Sequence, residues 1–147
     1  MESTIILSIQ PEHAAKIFSG LKKVELRRIR PKNLRAGGVA LIYVTSPVRS
    51  LTGAFKITSV IEKPLTELWK MVQKKAGLTY REFKQYYQGV SKGTAIFFQK
   101  VWSFPDPLSL EDLRRELLIF LPPRAFRYVK LHELAAPRIA KLLSSIT

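Results

Sequence analysis

At 147 residues, 46% hydrophobic and 24% charged, the chain has the length and makeup of one folded domain rather than a disordered segment. The absence of cysteine excludes a disulfide framework, a thiolate metal site and a cysteine nucleophile. Lys and Arg number 25 against 11 Asp and Glu, a net charge of +14 that calls for a polyanionic partner, with nucleic acid ahead of a membrane surface.

Thr4–Ile9 is a short β-branched apolar run and reads as a strand. Pro11 then opens a helix in which Ala14, Ile17, Phe18 and Leu21 share one face, and Gly20 suits its left-handed end. His13, among polar neighbours, reads as a surface residue rather than a ligand. Next comes the stretch Gly20-Leu21-Lys22-Lys23-Val24-Glu25-Leu26-Arg27-Arg28, a strand expected to run to about Arg30. Val24 and Leu26 alternate with Glu25 and Arg27, so apolar and charged side chains take opposite faces. The basic residues Lys22, Lys23, Arg27, Arg28, Arg30, Lys32 and Arg35 surround the single acid Glu25.

Residues 31–38, with Pro31, Asn33 and Gly37-Gly38, form a connection. Val39–Val44 is apolar throughout, as in a strand buried on both faces, and leads to Thr45-Ser46-Pro47, a turn carrying two hydroxyls. Residues 51–61 read as a strand with a bulge or close backbone approach at Gly53. Leu68, Trp69 and Val72 form the apolar stripe of a helix capped by Thr66 and stopped by Gly77. Thr79-Tyr80-Arg81-Glu82 matches a capping box and opens a second helix, with Phe83 and Tyr87 as core. Residues 94–101 read as a strand, and 102–108 as an extended stretch broken by Pro105 and Pro107. A short helix is expected at Leu110–Glu116, and a helical tail over residues 131–145, interrupted at Pro137. Together these predict an α+β domain over residues 1–147. Its centre is a small, partly closed β-barrel of five or six strands with inserted and flanking helices, and a helical extension begins near residue 130.

No hydrolase elbow, phosphate-binding loop or dinucleotide glycine pattern is present. His13 and His132 are too few soft ligands for a zinc site, so neither metal nor cofactor is expected. The polar cluster to examine is Lys22, Glu25 and Arg27, and three uses of it stay open. It forms a solvated strand face, or an acid–base pair if burial lowers the lysine pKa, or a grip on a nucleobase. In the grip, Glu25 accepts from an exocyclic amine and Arg27 donates to a phosphate or carbonyl.

The segments Ile6-Leu7-Ser8-Ile9-Gln10-Pro11 and Ala15-Lys16-Ile17-Phe18-Ser19-Gly20 precede Lys22-Lys23-Val24-Glu25-Leu26-Arg27-Arg28. In this order they resemble the ASCH domain of the PUA-like superfamily, whose GxKxxExR signature is filled here by Gly20, Lys22, Glu25 and Arg27. The likeness extends through Ile42-Tyr43-Val44-Thr45-Ser46-Pro47 and Gly93-Thr94-Ala95-Ile96 to Pro122-Pro123-Arg124-Ala125-Phe126-Arg127-Tyr128, where it is similar to archaeal-type members. The resemblance implies a PUA-like barrel with a cleft beside the first helix, and a role in RNA metabolism or transcription regulation. The nucleic-acid contacts expected of such a cleft are Lys22, Lys23, Glu25, Arg27, Arg28, Arg30, Thr45 and Ser46, with Phe126 or Tyr128 as stacking candidates. RNA is favoured over DNA, with no membrane partner. The alternative it implies is a hydrolase, acetylcytidine amidohydrolase-like or a ribonuclease, with Lys22 and Glu25 as catalytic residues. The amidohydrolase pattern has threonine where Glu25 stands and a carboxylate near residues 74–77, where this chain has none. No secretory signal pattern is read at the N-terminus, and a cytoplasmic setting is expected.

Overall fold

The β-branched run at the start becomes strand β1 (Thr4–Ile9), and Pro11 opens helix α1 (Pro11–Ser19). Gly20 ends that helix at φ 86, a left-handed conformation cheap only for glycine. Then follow β2 (Val24–Arg27), β3 (Val39–Val44), β4 (Ser50–Pro64), α2 (Leu65–Val72) and α3 (Tyr80–Tyr86). The chain continues through β5 (Lys92–Ser109), α4 (Leu110–Glu116), β6 (Phe126–Tyr128), a 3₁₀ turn at Glu133–Ala135 and α5 (Pro137–Ser144). This computed structural model describes residues 3–117 and 122–146. No helix among them is long and apolar enough to cross a membrane.

The strands form a six-stranded sheet in the order β2-β5-β4-β3-β1-β6, parallel between β1 and β3 and antiparallel elsewhere. This is an α+β domain whose sheet curls into a half-barrel. Curling is concentrated in the two longest strands, β4 and β5, whose pairing slips at Leu51/Gly53, Phe55/Lys56 and Ile57/Ser59. Apolar side chains fill both faces of β1 and β3. Ile5, Leu7 and Ile9 meet α1 through Ala14 and Ile17, while Ile6, Leu41 and Tyr43 meet α4 and α5 through Leu113, Ile139 and Leu142. That two-sided burial is why β3 is apolar at every position. A third cluster joins Val24 and Leu26 of β2 to Leu68, Val72, Phe83 and Tyr87 of α2 and α3.

Several expectations change. Residues 94–101 and 102–108 are one strand, β5, because Pro105 and Pro107 lie between Ser103 and Leu108, where the β4 register slips and a missing N–H interrupts no regular ladder. β2 ends at Arg27, whose partner is Thr94, rather than near Arg30. Leu21 lies past the end of α1 and is 68% exposed instead of sharing its buried face. Thr66 does not cap α2, since β4 runs straight into the helix and Pro64 takes the capping position without a side-chain bond. Residues 126–128, given no element from sequence, pair with β1 as β6. The Thr79–Glu82 capping box is present with both reciprocal bonds.

Gly53 sits where β5 and α1 both press on β4. A Cβ there would collide with the Trp102 carbonyl and come within 2.6 Å of the Phe18 ring. Gly53→Ala is therefore expected to lower stability by about 1–3 kcal/mol, the usual cost of overpacking, read as a shifted urea midpoint at constant slope. An unchanged midpoint would show that the β4–β5 bulge yields freely.

Candidate functional site

Strand alternation in β2 sends Val24 and Leu26 under α2 and α3, so Glu25 and Arg27 must point the other way. That second face is not solvated. Lys22, Glu25 and Arg27 are 3%, 6% and 8% exposed, because the curl of the sheet brings the end of β1 and residue 125 over them. Arg27 Nη2 donates to Glu25 Oε2 at 2.7 Å and to the Ser8 carbonyl at 3.0 Å, and Nη1 donates to the Ala125 carbonyl at 3.1 Å. Lys22 Nζ donates to the Ala76 carbonyl at 3.0 Å and lies 3.6 Å from Glu25 Oε1. One buried carboxylate thus holds two buried cations, one on each oxygen. Burial lowers the Lys22 pKa, opposed in part by the Glu25 charge.

Above this floor lies a cleft of about 670 Å³, within the size range of small-molecule sites. Ser8, Gln10, His13 and Thr45 form one wall, from β1, α1 and the end of β3; Glu82, Gln85 and Tyr86 of α3 form the other. Arg124 and Ala125 stand at the rim. The His13 pKa is lowered, first by burial and then by the Lys22 charge, and its Nδ1 is buried without a partner among the described residues. Tyr86 donates its hydroxyl to the Leu26 carbonyl at 3.0 Å, which fixes the ring in the α3 wall, and burial raises its phenol pKa.

Of the residues expected from sequence, Lys22, Glu25, Arg27 and Thr45 line this one cleft. Lys23, Arg28, Arg30 and Ser46 are exposed and lie outside its lining. Arg28 instead donates to the Tyr86 and Gln88 carbonyls at 2.8 and 2.9 Å, tying the end of α3 to β2. Phe126 and Tyr128 pack against the β1–β3 core, and the Tyr128 hydroxyl accepts from the Asn33 N–H, so both serve packing rather than the cleft. Among the lining residues not expected there are His13, Gln85, Tyr86 and Arg124. Arg124 makes no hydrogen bond or ion pair among the described residues and stands exposed at the rim, whereas both Nη atoms of Arg27 are bonded within the protein. Its only sequence signal is a lone arginine after Pro122-Pro123.

A family model described as ASCH domain matches residues 7–105, more than half of the chain. An ASCH domain-containing ribonuclease of Zymomonas mobilis is 28% identical over 128 residues, covering 87% of this chain and 85% of that protein. The crystal structure of ASCH from Zymomonas mobilis superposes with a TM-score of 0.84 at 27% identity, covering 98% of this chain and 95% of that one. A large ribosomal subunit protein uL22 of Ureaplasma parvum is 29% identical over 130 residues, which are 86% of this chain but only 39% of that longer protein.

Removing the central carboxylate leaves Lys22 and Arg27 as unbalanced buried charges. Glu25→Ala is expected to cost about 3–5 kcal/mol in urea unfolding, and a loss under about 1 kcal/mol would refute a buried ion triad. Lys22 titrates below its ordinary 10.5 in the folded chain, so between the two values the unfolded chain holds more protons and stability rises with pH. The stability of the wild type relative to Lys22→Met is therefore expected to grow as pH rises through that window towards 10.5; a difference flat in pH would overturn the assignment.

Proposed function

The chain belongs to the ASCH domain family, and from that membership we propose that it binds RNA, holding one nucleotide in the cleft above Lys22, Glu25 and Arg27. The observation that carries this reading is the pairing of a nucleotide-sized cleft with an exposed rim cation, Arg124, that has no partner among the described residues, on a chain of net charge +14. Arg124 takes the phosphate. Glu25 and Gln85 offer hydrogen-bonding groups to a base edge, the Tyr86 ring gives an aromatic wall, and Thr45 adds a hydroxyl. Arg27, already bonded on both Nη atoms, holds Glu25 in place instead of reaching phosphate. The similar protein named as a ribonuclease, matched over 85% of its length, supports RNA as the ligand class.

The ribonuclease name of one relative is the ground for a second reading, in which the bound strand is also cut. Lys22, its pKa lowered by burial and its Nζ 3.6 Å from Glu25 Oε1, would then act as the general base. Binding remains the primary reading, because Lys22 is buried and its Nζ is bonded to the Ala76 carbonyl.

The test is a salt titration of affinity for short single-stranded RNA, duplex RNA and single-stranded DNA, with each RNA checked for integrity on a gel. Log affinity is expected to fall linearly with log salt, and Arg124→Ala to weaken binding while reducing that slope by about one. Intact RNA fits binding alone; cleavage lost in Lys22→Met brings in the second reading. No binding at low salt, or a slope indifferent to Arg124, would overturn the site.

A further inference from the structure

Helix α3 has a second recess on the side away from the cleft. It measures about 360 Å³ and is lined chiefly by Leu65, Trp69, Lys70, Tyr80, Phe83 and Lys84. The buried ring of Phe83 lies 4.9 Å from Trp69 and fixes it against the core. Tyr80 is 53% exposed, its ring centroid 5.4 Å from that of Trp69 and tilted by 57°. Lys84 Nζ stands 6.0 Å over the Tyr80 ring, Lys70 lines the same recess, and no carboxylate among the described residues does. Two ammonium groups beside an aromatic corner disfavour a cationic ligand and an apolar peptide, which would cover them without counter-charge. They suit a planar ring that carries its own anion. A nucleotide is that ligand: the base stacks and the phosphate meets the lysines.

The same short helix turns Glu82, Gln85 and Tyr86 to the cleft and Tyr80, Phe83 and Lys84 to this recess. An α-helix with its side chains is about 10–12 Å across, a width that a few nucleotides of extended strand cross. We propose that the Trp69–Tyr80 recess is a second base-stacking subsite for the same RNA strand, so that the ligand is single-stranded and runs over α3. This rests on the RNA-binding reading of the cleft.

The chain has two tryptophans, so Trp102→Phe leaves Trp69 as the only indole and its emission as the probe. Oligoadenylates of about two and about eight nucleotides would be titrated into this protein, with and without Tyr80→Ala. The longer strand is expected to quench Trp69 and to bind roughly tenfold more tightly than the shorter. Tyr80→Ala should erase most of that advantage and leave the dinucleotide affinity unchanged; Lys70→Glu with Lys84→Glu should do the same. A length advantage and quench that survive both variants overturn the subsite and leave the recess to a protein ligand. Equal binding of both lengths, still weakened by Arg124→Ala, overturns this proposal alone. No binding of either overturns the RNA reading as well.

Discussion

The structure depends on one guanidinium. Arg27 sits on β2, at one end of the sheet order, and reaches the carbonyl of Ser8 in β1 and that of Ala125 beside β6, at the other end. Backbone pairing does not close the sheet, so this side chain joins its two ends. Glu25 holds the guanidinium from its own strand, and Lys22 holds Glu25. Buried ion groups of this kind add little net stability compared with an apolar filling, because desolvation offsets much of the attraction. Their effect is on geometry. Each donor and acceptor has few acceptable positions, so the curl of the sheet and the depth of the cleft are fixed together.

Two kinds of cation follow from that arrangement. Lys22 and Arg27 are buried, bonded and little screened, which makes them part of the floor. Arg124, exposed at the rim, has donors still to give. In the proposed complex, a polyanion drawn in by the field of a +14 chain would meet exposed, salt-screened charges first and the fixed floor only when a base enters the cleft. In that proposal attraction falls to the exposed cations and discrimination to the fixed floor.

Much of the fold was legible because its signals are local. β1, α1, β3, α4 and the α3 capping box each follow from a few adjacent residues, and the structure keeps them at or near the expected bounds. The candidate floor, Lys22, Glu25 and Arg27, was also legible, since charge alternating with apolar residues on a strand stands out. Its burial was not. Alternation shows that Glu25 and Arg27 share a face but not whether that face meets water, and the answer comes from Ala125, distant in sequence. The same distance hid Arg124, a lone arginine among many. Tyr86 carries no sequence signal of its own because it sits beside two core aromatics, and the hydroxyl bond to Leu26 shows which way it faces. The prolines of β5 were read as breaks, since a sequence does not reveal that a partner strand slips there.

The wall of the cleft is as firmly fixed as its floor. α3 is only seven residues long, too short to hold its shape by helical bonding alone. It is pinned to β2 instead: Tyr86 donates to Leu26 O, Tyr87 to Arg27 O and Thr94 O, and Arg28 reaches back to the carbonyls of Tyr86 and Gln88. On the near side, Lys16 and Lys22 hold the carbonyls of Gly77 and Ala76, which lead into the helix. Floor and wall are therefore joined in one hydrogen-bonded framework, and a ligand entering the cleft would meet side chains already positioned. That reduces the entropy lost on binding and lets a modest number of contacts confer specificity. Because Trp69 of α2 packs on Phe83 of α3, the aromatic recess is tied to the cleft wall, so a strand bound at both, as proposed, would be held in a defined register.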